Sequence, residues 1–300
     1  MKIAITGGTG FVGKALTKSF LQGGHNVYIL SRSQHSSSKD GIQYVKWLTE
    51  DSQPENELND IDVFINLAGE SLNSGRWTAE RKQRIVSSRI SATREVIRIL
   101  QNMNKKPSVL INASAIGYYG TSLEKEFTES NKIPGQDFLA QTVASWEQEA
   151  QAAEELGVRT VYTRFGIILD QQEGALPKMV LPYKLFAGGT VGSGAQWMSW
   201  VHIDDVVGMI QYAIKNENIK GPFNVVSSNP VTMKKFGQHI GHVMKRPHFL
   251  PAPSFALKLL LGEMSVLVLE GQKVVPQKAE DSGYQFHYKY LDEALTNILK

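Results

Sequence analysis

Three glycines at three-residue intervals, Gly7, Gly10 and Gly13, stand in the stretch ITGGTGFVG (5–13). They follow an apolar run and precede a helical pattern, the setting in which backbone has to come close to an anion. Gly7 suits a tight turn, Gly10 lets main-chain amides reach a diphosphate, and Gly13 lets the helix pack closely on the strand. Thr9, Phe11 and Val12 complete the loop and first helical turn, where unpaired N–H groups and the helix dipole favour negative charge. A glycine-rich turn that holds nothing is the competing reading.

The second apolar run, NVYIL (26–30), is followed by Ser31 and Arg32 with no acid. A carboxylate at this place accepts from the adenosine ribose hydroxyls of NAD. A serine and an arginine fork instead suit a 2′-phosphate, which favours NADP(H) over NAD(H). An ordinary surface arginine is the alternative for Arg32. A later strand runs into NLAGES (66–71), where Leu67, Ala68 and Gly69 leave room for a ligand against backbone at a strand's carboxyl end.

These residues need a frame, and the chain supplies one. Short β-rich runs at 2–6, 26–30, 42–47, 62–66, 108–113 and 158–164 alternate with helical patterns near 11–23, 78–103 and 137–156. That alternation predicts an α/β fold, a doubly wound parallel sheet whose apolar strands are covered on both faces. SQHSSSKDG (33–41) has the composition of an exposed connection. After Arg164 the rhythm becomes irregular. We expect a dinucleotide-binding domain over 1–165, with 195–227 returning to it, and a smaller α+β lobe from 166–194 and 228–300. HIDDVVGMIQYAI (202–214) reads as the returning helix.

Composition removes several classes of function. The 300 residues carry a net charge of +3, and no basic run is interleaved with aromatics as in a nucleic-acid reader. The densest basic stretch, 76–89, reads equally as a solvated helix face. The chain has no cysteine, so disulfides, thiolate nucleophiles and cysteine zinc sites are out, and a reducing cytoplasm fits. A strand beginning at Lys2 leaves no room for a signal peptide. The most apolar stretch, 255–269, is interrupted by Lys258, Gly262 and Glu263, so a buried helix pair or an oligomer contact is expected rather than a membrane span. Of the seven histidines only His239 and His242 neighbour each other on one helix, without a carboxylate motif, and no metal site is expected.

TGGTGFVG, NLAGE, SAIGYYG (114–120) and the strand-end Arg164 together resemble the extended short-chain dehydrogenase/reductases, on the epimerase/dehydratase side. The likeness is strongest to an atypical "epimerase family" subgroup of unassigned substrate. It extends through Arg76, Trp77, Ser88 and Arg89, Trp146 and Glu147, GSGAQWMSWVHIDD (192–205), GQKVVP (271–276) and a C-terminal cap with RPHFLPAP (246–253). The resemblance implies a nucleotide pocket reached by Ser31, Arg32, Leu67, Ala68 and Arg89, with Arg84 as a further candidate on the same helix. It also implies a small C-terminal substrate lobe, and fold analogy suggests a homodimer through the two long helices.

The family's acid–base pair is missing. Members use Tyr-x-x-x-Lys, in which the lysine assists a proton-shuttling tyrosine. None of the ten tyrosines has a lysine four residues on. The best alignment puts Val143 at the tyrosine position, Glu147 at the lysine position and Ala115 at that of the usual serine, with Ser114 one residue earlier. Glu147 could trade a proton if an apolar neighbour such as Trp146 disfavours its charge; a salt-bridged helical glutamate is the plainer alternative. Tyr118 or Tyr119 could donate from its loop, or simply pack beneath the pocket. His202, beside a helix start capped by Asp204 or Asp205, could titrate near neutrality. Two functions follow. One is an NADP(H)-dependent oxidoreductase or epimerase-type enzyme on a small molecule, and the other a non-catalytic NADP(H)-binding redox sensor.

Overall fold

In the computed structural model, which describes residues 1–33 and 41–300, seven parallel strands form one sheet. They are β1 (Lys2–Thr6), β2 (Asn26–Ser31), β3 (Ile42–Lys46), β4 (Val63–Asn66), β5 (Val109–Ala115), β7 (Arg159–Phe165) and β11 (Gly221–Val225), and β6 (Glu126–Phe127) lies outside that sheet. Their spatial order is β11-β7-β5-β4-β1-β2-β3, so the order reverses between β1 and β4. This is a Rossmann-like doubly wound fold, and the crevice at such a reversal is where open α/β sheets bind ligands. The expected connection at 33–41 falls mostly on residues 34–40, outside the described ones.

The apolar strands make sense once each side chain is assigned a face. Ile3, Ile5, Val27, Ile29, Val63 and Ile65 join one core with Leu16 and Phe20 of α1 (Phe11–Gln22). The alternate residues Ala4, Tyr28, Leu30, Phe64 and Leu110 join a second core with Val96, Ile97 and Leu100 of α2 (Ala79–Asn102). Ala153 of α3 (Phe138–Glu155) belongs to the same layer. A period of two with both sets apolar is what a sheet buried on both faces requires.

Beyond β7 the chain leaves the sheet and returns. β8 (Ile167–Leu169) pairs with β10 (Trp200–His202), and β9 (Trp197–Met198) with β12 (Val231–Thr232). α4 (Leu176–Lys184) lies between β8 and β9 in sequence. α5 (Ile203–Lys215) packs on the first core through Val206, Met209, Ile210 and Ala213. The expected cap of α5 was Asp204 or Asp205; the cap is His202 itself, whose Nδ1 accepts from the Asp204 amide at 3.1 Å. Asp205 instead accepts from the amides of His287 (2.8 Å) and Tyr288 (2.9 Å), holding the carboxyl-terminal segment to the start of α5.

The cap has its own core, in which α4 meets α6 (Met233–Met244) and α10 (Leu291–Leu299) around Trp200, Phe236 and Leu295. Between them come α7 (Ser254–Leu261), α8 (Val266–Leu269), β13 (Lys273–Val274) paired with β6, and α9 (Gln277–Asp281). The stretch 255–269 does form two short helices, but neither carries a buried residue. Phe255, Leu259 and Leu260 are largely exposed, so the expectation of a buried pair is corrected. No helix among the described residues is long and apolar enough to cross a membrane.

Candidate functional site

At the carboxyl ends of β1 and β4 the site is built mainly from backbone. Gly7 has φ +66°, and a Cβ there would lie 2.8 Å from the carbonyl oxygen of Leu67. A Cβ on Gly13 would collide with the Gly7 carbonyl and the Gly8 backbone, so only glycine lets α1 start this close to β1. Gly10 donates to the Gly7 carbonyl at 2.9 Å and caps α1 without any side-chain hydrogen bond. By contrast, Thr78 caps α2 and Asp137 caps α3. The opening helix therefore presents uncapped amides beside the exposed Thr9 and Gly10. Phe11 and Val12 are half-buried in that first turn.

A buried polar ladder holds this corner in place. Thr6, Asn66 and Asn112 sit at matching positions on β1, β4 and β5. Thr6 Oγ1 donates to Asn66 Oδ1 at 2.7 Å, and Asn66 Nδ2 donates to Asn112 Oδ1 at 2.7 Å and to Thr93 Oγ1 at 3.0 Å. Trp146 Nε1 also donates to Thr93 Oγ1, at 3.0 Å. The amides of Leu67 and Ala68 donate back to Thr6 Oγ1, fixing the turn that faces the glycine loop. Buried polar groups that satisfy one another specify a single arrangement.

Arg89 supplies the cation at this end. Its Nη1 donates to the carbonyls of Glu70 (3.0 Å) and Ile85 (2.9 Å), and the guanidinium lies 5.2 Å from the Trp146 ring. It packs on Gly69, whose missing Cβ would stand 3.1 Å from Arg89 Cγ. Burial, which disfavours the charge, brings its pKa down to about 10, against a smaller opposing pull from Glu70. No carboxylate hydrogen-bonds to it among the described residues. Arg89 and Phe11 of the first turn of α1 line one crevice. Ser31 closes β2 next door and accepts from the Ser33 amide, while Arg32 is exposed. Arg84 is exposed and faces Glu80 (3.7 Å) and Glu70 (3.9 Å).

Sequence reasoning missed Arg81, which is buried, ion-paired to Glu70, and donates to the Ser71 carbonyl. Its signal was present: Arg81, Ile85, Arg89 and Thr93 form one i, i+4 row on α2.

The carboxyl ends of β5 and β7 are arranged differently. Glu147 of α3 is held by Arg164 in a fork, Nε to Oε1 at 2.8 Å and Nη2 to Oε2 at 2.7 Å. Ser114 Oγ donates to the same Oε1. Arg164 is 1% exposed, and its guanidinium lies 3.5 Å from the Tyr118 ring centroid and 4.9 Å from that of Tyr119. Burial opposes the Arg164 charge, but the Glu147 bonds outweigh it and leave its pKa above the ordinary arginine value. Tyr118 donates to the Lys132 carbonyl, and Tyr119 donates to Asn224 Oδ1 at 2.7 Å. Burial pushes the Tyr119 phenol up to about 12. Arg164, a further cofactor-binding candidate from the sequence, lies at the end of β7 and not in the glycine loop, and Ser114, Tyr118 and Glu147 form one cluster with it.

Above these ends, between the sheet and the cap, lies a cavity of about 400 Å³. Arg89, Ala115, Val143, Trp146 and Phe165 line it from the sheet side, and Trp197, Val266, Leu267, Glu270 and Gln272 from the cap. Ser114, Tyr118 and Glu147 do not line it. The sequence offers Trp197 as stacking surface in a lobe that closes over the substrate, whereas Val266, Leu267 and Glu270 were not legible, because α8 and the turn after it meet the sheet only in the folded chain. Gln272 is anchored by donating to the Ile116 carbonyl at 2.9 Å. Among the described residues no cluster of three or more His, Asp or Glu side chains could hold a metal ion.

The NAD dependent epimerase/dehydratase family matches residues 3–226, and a domain of unknown function, DUF1731, matches 252–298. The chain is 53% identical to the epimerase family protein YfhF of Bacillus subtilis over 299 residues, covering 100% of this chain and 98% of that one. It is 45% identical to an epimerase family protein of Staphylococcus saprophyticus, SSP1921, with 98% of each covered. The crystal structure of the human epimerase family protein SDR39U1 with NADPH superposes with a TM-score of 0.88 at 30% identity, over 99% of each chain. The crevice at the strand-order reversal, the glycine cradle and these similarities agree, and the chain belongs to the NAD dependent epimerase/dehydratase family.

Proposed function

We propose that this protein is an NADP(H)-dependent oxidoreductase or epimerase-type enzyme acting on a small molecule in the cavity beneath the cap. The observation that carries the reading is the start of α1, without a side-chain cap, on a cavity that its Phe11 lines together with Arg89 and that the cap closes. The dinucleotide, when bound, would supply hydride chemistry at its nicotinamide. Gly7, Thr9, Gly10, Phe11, Val12 and Gly13 would hold its diphosphate with Arg89, while Leu67, Ala68 and Gly69 give it backbone to lie against. Ser31 and the exposed Arg32 would receive a 2′-phosphate, with no acid at the end of β2 to repel it. The human relative crystallised with NADPH supports the same preference.

In this reading Glu147, Ser114 and Arg164 stand behind the cavity wall, next in the chain to its residues Trp146, Ala115 and Phe165, and are positioning residues, and Tyr118 braces the same cluster. Both Glu147 oxygens are bonded to Arg164, which leaves the carboxylate little freedom to exchange a proton with a substrate. The same observation favours a second reading, a non-catalytic NADP(H)-binding sensor that has lost the Tyr-x-x-x-Lys pair. Two measurements decide. Arg32→Ala should lose the preference for NADPH over NADH, and a preference that survives removes the 2′-phosphate assignment. Protein loaded with NADPH should turn over within a panel of carbonyl compounds, followed at the nicotinamide absorbance, and Glu147→Gln should keep that turnover. Turnover abolished in a folded Glu147→Gln protein would restore Glu147 as acid or base, and none with any compound would favour the sensor.

A further inference from the structure

The walls of the cavity say what kind of molecule it accepts, given the dinucleotide reading above. Its sheet side is Val143, Trp146 and Phe165, and its cap side is Trp197, Val266 and Leu267. Both indoles are fixed by their ring nitrogens: Trp146 Nε1 donates to Thr93 Oγ1 at 3.0 Å and Trp197 Nε1 to the Leu123 carbonyl at 2.9 Å. Rings locked in this way offer flat, apolar area with little ordering cost on binding.

Charge is the second constraint. Among the described residues the only cation on the wall is Arg89, held by the Glu70 and Ile85 carbonyls with its guanidinium 5.2 Å from the Trp146 ring, and in the dinucleotide reading it is taken by the diphosphate. The two acids on the wall, Asp137 and Glu270, repel anions; Asp137 caps α3, and Glu270 is exposed at the cap rim. Lys273, beyond Trp197, is paired to Glu126 at 2.8 Å. Burying a further phosphate or diphosphate calls for several cationic forks, and beyond Arg89 the described wall of this cavity has no cation.

We infer that the cavity takes an uncharged, planar, conjugated ring carbonyl compound of the quinone type, and rejects nucleotide sugars. Trp197 is its stacking wall on the cap side, and Leu267 closes the edge. Polar recognition is confined to a few groups: Thr142 and Ser199 already donate to the Phe138 and Gln272 carbonyls, and the second Nε2 hydrogen of Gln272 is enough to orient a ring carbonyl but not to hold a diphosphate.

Calorimetry on the full chain tests this in two stages. NADP⁺ is titrated first; heat that saturates at one per chain supports the dinucleotide reading, and its failure is read here, before any substrate is added. Menadione and UDP-glucose are then titrated separately into the NADP⁺-saturated protein, the oxidised cofactor keeping binding apart from turnover. The chain has no cysteine for a quinone to alkylate. We expect menadione to bind at one per chain and at least tenfold tighter than UDP-glucose. Trp197→Ala should weaken menadione at least fivefold while NADP⁺ affinity stays within twofold, and Leu267→Asp provides the same contrast should the first variant fold poorly. UDP-glucose binding as tightly as menadione would overturn the inference. So would menadione binding that is indifferent to both substitutions, or no menadione binding beside normal NADP⁺ binding.

Discussion

The two ends of the same crevice treat their buried arginines in opposite ways. Over β1 and β4, Arg89 bonds only to backbone carbonyls, and the neighbouring helix start has no cap. Over β5 and β7, Arg164 is enclosed by Glu147, Tyr118 and Tyr119, and Ser114 completes the cluster. The first corner has electrostatic capacity left over, and the second has consumed its own. In the proposed reading, a ligand anion meets the corner whose arginine has no carboxylate bonded to it. The self-satisfied corner stands behind the cavity wall and supports it.

The contrast breaks most sharply at the closed corner. Glu147→Ala leaves the Arg164 charge buried without its acid and should cost about 3–5 kcal/mol of stability in urea unfolding. Adding Arg164→Met should recover most of that loss, and a double variant no more stable than the single one would deny that the two act as a pair. At the open corner, Gly13→Ala forces a methyl against the Gly7 carbonyl. Dinucleotide affinity in calorimetry should then fall by about a hundredfold, roughly 2.7 kcal/mol.

Arg89→Met sharpens the comparison further. It should weaken the dinucleotide by about tenfold, close to 1.4 kcal/mol. Stability should change by less than about 1.5 kcal/mol, the scale of the carbonyl hydrogen bonds it loses. A large loss of stability with unchanged affinity would make Arg89 a second Arg164. The smallest effect lies in the link between sheet and cap. Burial holds the His202 imidazole below its ordinary pKa, against smaller pulls from Asp204, the Asn297 hydrogen bond and Asp205. A base whose folded pKa is depressed contributes stability that is complete above the unfolded value near 6.5 and is lost as pH falls through the folded one. His202→Asn keeps a cap but removes that titration, so urea midpoints from pH 7.5 to 5 should decline more steeply in the original protein than in the variant.

How far the sequence could be read depended on the range of the forces involved. The strand runs fell within two residues of β1, β2, β4, β5 and β7, because alternation of apolar side chains is local and both faces are covered. The glycine loop was legible for the same reason: a turn and the start of a helix occupy nine consecutive residues. Arg81 was legible in principle, as one member of a helical row, but its burial depended on Glu70, eleven residues away. The cap of α5 was misassigned because three cap-forming residues stand together there, and local chemistry does not rank His202 against the two aspartates. The exposed α7 shows the converse, since apolar composition does not reveal whether anything covers a helix.

By itself the sequence determined the doubly wound sheet, the anion-binding turn and the lack of a tyrosine–lysine pair, since each is a property of contiguous residues or of fixed spacing. Only the tertiary structure decided that Glu147 meets Arg164, that Arg89 lines the crevice bonded to the Glu70 carbonyl and to no carboxylate, and that Trp146 joins Trp197 around one cavity. Those outcomes join residues 17, 19 and 51 positions apart. Which charge is answered and which is left open depends on what folding brings within a few ångströms, and no spacing rule along the chain encodes that.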